Sequence, residues 1–74
     1  LGFFTLRDEG MEALEWLVIH YPKEARCDEA YFRLGELYTE DRRFRLAVQR
    51  YEDLVSYQYK SPLRIEAEAR VPRM

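Results

Sequence analysis

The sequence predicts an all-α fold of antiparallel helix-turn-helix hairpins, and two features of its residues carry this prediction. First, apolar residues recur at helical spacing, most regularly at Phe44, Ala47, Val48, Tyr51, Leu54 and Val55. Second, the preceding helix alternates large residues with the small Gly35. Because two helices approach closely only where small residues meet rings, we expect residues 30–59 to form one helix-turn-helix hairpin. A lone hairpin leaves apolar faces uncovered, so further helices should stack beside it as a solenoid.

Composition limits the classes of function. The chain has 74 residues, and an apolar fraction of 47% with 15% aromatic residues excludes a disordered segment. Twelve basic against 14 acidic residues give a net charge of −2, which argues against nucleic acid as a partner. The single cysteine, Cys27, permits neither an internal disulfide nor a multi-cysteine metal motif. The longest apolar run, residues 16–19, is far shorter than the roughly 20 residues of a membrane span, so we expect no direct membrane insertion.

The first predicted helix covers residues 6–20. Thr5 and Asp8 have the spacing of a capping box at its start, and the Tyr-Pro pair that follows it ends it. Its main apolar stripe comprises Gly10, Leu14, Leu17, Val18 and Tyr21. Trp16 and Ile19 add a second apolar face, and we therefore expect this helix to be covered on two sides.

The second and third predicted helices form the central hairpin. The second covers residues 28–40 and begins with two carboxylates, which favour the helix dipole. Glycine in mid-helix costs up to about 1 kcal/mol relative to alanine, so Gly35 predicts the close approach of another helix. A polar turn at 41–43 leads to the third helix, residues 44–58.

The fourth predicted helix and an internal repetition complete the pattern. This helix covers residues 62–70, because Ser61 suits the N-cap and Pro62 the first helical position. An offset of 37 residues pairs Leu17 with Leu54, Val18 with Val55, Lys23 with Lys60, Glu29 with Glu66 and Ala30 with Ala67. We therefore divide the single segment 1–74 into the end of one repeat, a complete repeat and the start of the next, with bounds 1–22, 23–60 and 61–74. The pattern is interrupted at both ends, so we expect a piece of a longer array.

Residues 28–54 resemble a tetratricopeptide repeat. In the first helix of that motif, Tyr31 is the large residue, Leu34 and Gly35 are the Leu-Gly pair, and Tyr38 is the tyrosine. In the second helix, Ala47 is the alanine, Tyr51 the aromatic residue and Leu54 the aliphatic residue. Two positions depart from it: Tyr59 replaces a proline, and Gly10 replaces an alanine in the preceding repeat. The resemblance implies a right-handed solenoid. The long connection before Tyr31 is similar to that of bacterial envelope members, among them outer-membrane lipoprotein assembly factors and the periplasmic partner of Tol–Pal, which implies a periplasmic or outer-membrane-associated location.

The resemblance also implies a function and a site. Such repeats hold other proteins, so we expect a scaffold or adaptor that binds a partner protein or peptide in a concave groove, without enzymatic activity or a cofactor. The groove-lining face of the second helix carries Glu29, Phe32, Arg33, Glu36 and Glu40. The resemblance assigns peptide contacts to all of these except Arg33. A ring among carboxylates favours a peptide with an apolar residue and basic neighbours.

Two other functions stay open at this point. One is a structural subunit whose repeats pack against sister chains, by self-association, in a larger cell-envelope assembly. The other is an enzyme whose active site lies in other domains, and these residues add no support for it.

The remaining chemically active residues have simpler interpretations. His20 stands among apolar neighbours at a helix end, where it interacts with the dipole rather than with a metal or substrate. Cys27 lacks an evident base and is a small filler near a helix start. Glu12 and Glu15 share a helix face and are expected to be solvated surface. The basic cluster at 42–50 should be neutralised by its acidic neighbours.

Overall fold

The structure is a computed structural model that describes residues 6–72, and every regular element among them is helical. The four α-helices are α1 (Leu6–His20), α2 (Asp28–Glu40), α3 (Phe44–Tyr57) and α4 (Leu63–Arg70), and a short 3₁₀ turn (Ala25–Cys27) precedes α2. The prediction of an all-α fold is confirmed, and all predicted helix bounds agree to within one residue. The predicted capping box at Thr5 lies outside the described residues.

Helix α2 occupies the centre of the molecule and contacts α1, α3 and α4. The Cα atoms span 41 × 29 × 15 Å, which corresponds to a slab about two helices thick. Among the described residues, α2 provides five of the twelve that form the buried core, more than any other helix. The core comprises Met11, Val18, Cys27, Ala30, Tyr31, Leu34, Leu37, Tyr38, Ala47, Tyr51, Leu54 and Ala67. The second helix is therefore the one element that α1, α3 and α4 all need for their packing.

The close approach predicted at Gly35 is confirmed, and its neighbour is the ring of Tyr51 on α3. A methyl group added to Gly35 would lie 2.5 Å from Cζ and 2.8 Å from Cδ1 of this ring, closer than atoms can pack. Tyr51 itself is only 2% exposed. The glycine thus makes room for a buried ring at the crossing of α2 and α3.

The turn between α1 and α2 recurs between α3 and α4 at the predicted offset of 37 residues. Each turn contains three backbone hydrogen bonds whose donors and acceptors correspond one to one. In the first turn, the amides of Tyr21, Glu24 and Cys27 donate to the carbonyls of Leu17, Tyr21 and Glu24. In the second, the amides of Gln58, Ser61 and Arg64 donate to Leu54, Gln58 and Ser61. The small residues that follow, Ala30 and Ala67, are both buried.

The N-cap predicted at Ser61 is confirmed by its hydrogen bonds. Its hydroxyl oxygen accepts from the Leu63 amide at 3.1 Å and donates to the Asp28 carboxylate at 2.6 Å. Because Asp28 begins α2 and Leu63 begins α4, Ser61 ties the starts of these two helices together.

Some predicted core positions are wrong. Phe44 is 57% exposed, because it borders an open pocket between the start of α3 and the end of α4, where Arg70 and Pro72 do not cover it. On α1, Gly10 and Tyr21 are exposed, and Met11 takes the buried place instead.

The second apolar face of α1 is also not covered as predicted. Trp16 is 53% exposed and Ile19 is 64% exposed, because none of the other described helices packs on that side of α1.

Candidate functional site

An open groove of about 570 Å³ runs between α1, α2 and the start of α4. Four of the five predicted partner-binding residues line it together, namely Glu29, Phe32, Arg33 and Glu36. Arg26 also lines the groove, and apolar side chains provide the rest of the surface, with Leu14 and Leu17 from α1, Ala30 from α2 and Leu63 from α4. The groove therefore combines an apolar floor with a charged rim, an arrangement that suits a protein ligand.

Glu40, the fifth predicted residue, lies outside this groove. Its carboxylate is 3.5 Å from the guanidinium of Arg7, which also pairs with Asp41 at 2.9 Å. These groups meet where the start of α1 passes the end of α2. Glu40 therefore belongs to a surface ion-pair cluster, and the structure separates it from the other four residues.

Phe32 forms part of the groove floor and is held in place by its neighbours. The guanidinium carbon of Arg70 lies 4.6 Å from the centroid of the Phe32 ring, and the Tyr51 ring meets it edge-on at 5.6 Å. Arg70 also donates to the Tyr51 hydroxyl at 3.1 Å and lies 3.6 Å from the Glu36 carboxylate. The hydrogen bond with Tyr51 is the main reason that the pKa of Arg70 is raised.

The groove rim carries charges of both signs. Arg33 lies 3.6 Å from Glu36, and its side chain is 57% exposed, so this pair is weak and easily opened. Arg26 and Glu29 are exposed, and their side chains form no ion pair within residues 6–72. Arg26 and Glu29 can therefore pair with a ligand, and Arg33 can do so by opening its weak pair with Glu36.

A partly buried ion-pair network around Arg50 connects the helices outside the groove. Its guanidinium binds both carboxylate oxygens of Glu15, at 2.7 and 3.0 Å, and one oxygen of Asp53 at 2.6 Å. Tyr38 donates to Glu15 at 2.8 Å. Burial alone would lower the pKa of Arg50, but the hydrogen bonds and charges of the two carboxylates outweigh it and leave this pKa raised. The network joins α1, α2 and α3.

This network corrects one prediction and extends another. Glu15 was expected to be solvated surface, and this was wrong, since its side chain is only 19% exposed and is bound to Arg50. The local neutralisation expected for the basic cluster is confirmed for Arg50 by its pairing with Asp53. It was wrong for the other three members, because no ion pair within residues 6–72 involves Arg42, Arg43 or Arg45. The bond to Glu15 connects residues 35 positions apart, so sequence proximity gave no signal for it.

Gln58 is a second residue that the sequence analysis missed. It is 6% exposed, and its amide nitrogen donates to the carbonyl oxygens of Pro22 at 2.8 Å and Glu24 at 2.7 Å. A buried polar side chain needs such partners. Gln58 thereby fastens the first turn to the end of α3.

Two tyrosines close the core behind the groove. Burial is the main cause that raises the pKa of Tyr31 to about 12, and burial followed by the hydrogen bond to Glu15 raises that of Tyr38 to about 12. Both phenols therefore stay neutral in the folded chain well above pH 10.

His20 and Cys27 occupy the structural places predicted for them. The Nδ1 atom of His20 lies 2.8 Å from the Trp16 carbonyl oxygen, and because a carbonyl only accepts, this nitrogen donates. The histidine ring also stacks on Trp16 at 4.3 Å. Cys27 is 1% exposed, and burial, with the charges of Glu24 and Asp28, raises the pKa of its thiol.

The described residues contain no group of three or more histidine, cysteine or acidic side chains placed to hold a metal ion. Within the same part of the chain, no helix has the length and apolar character needed to cross a membrane. Comparison with protein-family models, with curated proteins and with solved structures finds no match to this chain. Its function must therefore be argued from the geometry of the groove.

Proposed function

We propose that this chain is a protein-interaction module of the tetratricopeptide type, which binds a segment of a partner protein in the groove along α2. The observation that carries the proposal is the convergence of Glu29, Phe32, Arg33 and Glu36 on one open, apolar-floored groove. The exposed charges of the rim give specificity, and the apolar floor provides area to bury.

The repeat character of the chain supports the same proposal. The turns at 21–27 and 58–64 share their hydrogen bonds, and Gly35 faces Tyr51 where the tetratricopeptide motif places a small residue against a ring. Stacked helical repeats of this kind present extended concave surfaces to other proteins. The groove of this chain is such a surface.

A peptide-display selection on the immobilised chain tests the proposal, with two lysine substitutions on α1 as a matched pair. Leu17→Lys places a charge in the groove wall, whereas Ile19→Lys places the same charge two residues away on the outer face. Fluorescence anisotropy should give selected peptides at least about tenfold weaker binding to Leu17→Lys and unchanged binding to Ile19→Lys.

Glu29→Arg, at an exposed rim position, provides a second groove variant that does not disturb packing. Circular dichroism would verify that all three variants keep the helical fold. Peptides that bind the groove variants and Ile19→Lys equally well would remove the groove from the proposal.

A structural role is the second candidate, and the exposed apolar face of α1 favours it. Trp16, Ile19 and Tyr21 are each more than half exposed, at 53%, 64% and 52%. Large exposed apolar residues in one place mark interaction surfaces. Light scattering after size-exclusion chromatography would reveal sister-chain packing as a dimer or larger species that Ile19→Lys converts to monomer. A monomer at all concentrations would reject this candidate.

A further inference from the structure

One face of α1 corresponds in sequence to the face of α3 on which α2 packs, but this face of α1 is only partly covered by another helix. With the offset of 37 residues, Gly10, Leu14 and Leu17 are the counterparts of Ala47, Tyr51 and Leu54. The α3 residues are only 2%, 2% and 0% exposed, because α2 packs on them. On α1, by contrast, no atom of the described residues lies within 4 Å of a methyl group added to Gly10. Leu14 and Leu17 pack against the core on one side but are only partly buried and line the open groove on the other. Within residues 6–72, this face of α1 is therefore only partly covered.

Arg33 likewise corresponds to a residue whose contacts are complete. Its counterpart at the same offset is Arg70, whose guanidinium lies 4.6 Å from the Phe32 ring and 3.6 Å from the Glu36 carboxylate. These two groups are four residues apart on the neighbouring helix, one turn from each other. Arg33 occupies the position on α2 that Arg70 occupies on α4, but its side chain is 57% exposed. Within residues 6–72 its ion-pair partner is Glu36 of its own helix.

We infer that the groove accepts an amphipathic helix from a partner protein, lying along α1 as α2 lies along α3. The partner helix carries an aromatic residue and, four positions later, a carboxylate, and Arg33 contacts both as Arg70 contacts Phe32 and Glu36. This inference rests on the proposed function and specifies the chemistry of its ligand. It replaces the basic peptide expected from the sequence with a helix that presents an aromatic residue and an acid.

The charges and shapes of the groove fit this ligand. Arg26 and Arg33 are both exposed on the groove rim, and both attract a carboxylate. Leu14 and Leu17 provide an apolar wall of the kind that receives residues spaced at one helical turn. The exposed Gly10 leaves space beside α1 for a side chain of a second helix, as Gly35 leaves space for the ring of Tyr51.

The chain itself provides a probe, because α2 is the helix that carries this pattern. A fluorescein-labelled synthetic peptide of residues 23–43, with Cys27→Ser, contains Phe32 and Glu36 at the required spacing. Its binding to the full chain is measured by fluorescence anisotropy. Arg33→Glu should weaken binding at least about tenfold, because it places like charges together. Arg45→Glu, an exposed change on α3 outside the groove, should leave binding unchanged.

A charge exchange makes the test specific to the proposed pair. The peptide with Glu36→Arg should bind the Arg33→Glu chain more tightly than the original peptide does. Failure of the probe to bind, or equal effects of Arg33→Glu and Arg45→Glu, would overturn the inference. If display-selected peptides still depend on Leu17 in that case, the protein-binding function survives without this ligand. If they do not, both proposals fall together.

Discussion

The two helical glycines of this chain should respond in opposite directions to the same substitution. Gly35→Ala places a methyl group within 2.5 Å of the Tyr51 ring, which is buried and cannot swing aside. Overpacking of this kind costs about 1–3 kcal/mol, and the better helix propensity of alanine returns up to about 1 kcal/mol. We expect a net loss of about 1–2 kcal/mol for this variant.

Gly10→Ala provides the matched control, because the added methyl group meets nothing within 4 Å. Helix propensity alone then acts, and we expect a gain of up to about 1 kcal/mol. Urea unfolding followed by circular dichroism measures both changes. For a domain of this size, they correspond to melting shifts of about 4–8 °C per kcal/mol, downward for Gly35→Ala and upward for Gly10→Ala.

A third variant identifies the ring as the cause. In a Tyr51→Leu background the overlap disappears, so Gly35→Ala should become neutral or stabilising. A Gly35→Ala chain as stable as the wild type, or one equally destabilised with and without Tyr51, would refute the packing argument.

Three other predictions concern the groups behind the groove. Arg50→Ala leaves two partly buried carboxylates without their cation, so the free energy of unfolding in urea should fall by about 2 kcal/mol. Glu68→Ala, which removes a more exposed ion pair, should lower it by at most about 1 kcal/mol. Equal losses for the two variants would contradict the stabilising role of the network around Arg50. Because the pKa values of Tyr31 and Tyr38 are raised to about 12 from about 10 in the unfolded chain, the free energy of unfolding should be insensitive to their titration below pH 10. Between pH 10 and 12 it should fall by about 1.4 kcal/mol per pH unit for each tyrosine, and Tyr31→Phe should roughly halve the slope; an unchanged slope would exclude Tyr31. Gln58→Met removes the donor to two turn carbonyls, so the free energy of unfolding should fall by about 1–3 kcal/mol, as measured by thermal unfolding. An unchanged stability would show that water replaces the amide.

The helices were predictable because their signals are local. The stripe from Ala47 to Leu54, the glycine at 35 and the serine at 61 act through neighbours within a turn or two, so the bounds and the capping agree with the structure. The recurrence at 37 residues was also visible, because identical residues repeat at this offset in and beside the two turns, as Leu17 with Leu54 and Lys23 with Lys60.

The tertiary details were not predictable in the same way. Phe44 fits the apolar stripe of α3, yet it borders an open pocket beside the end of α4 and is exposed, and no residue near Phe44 in the sequence carries that information. The pairing of Glu15 with Arg50 and the bonds of Gln58 span 34 to 36 residues. Charge patterning within a helix cannot identify such partners.

The candidate site was predictable in part. Helical periodicity placed Glu29, Phe32, Arg33 and Glu36 on one face, and the structure brings them to one groove. Periodicity also included Glu40, which the start of α1 draws into ion pairing with Arg7. The contributions of α1 and α4 to the groove depend on how the hairpins cross, and a single helix does not encode that.

The most direct measurement is a map of amide and methyl chemical-shift changes in the isotopically labelled chain on addition of a display-selected peptide. Binding along the groove predicts that the largest changes occur at Leu14, Leu17, Ala30 and Arg33. Largest changes at Trp16 and Ile19, with the groove signals unmoved, would contradict the assignment of the groove as the binding surface.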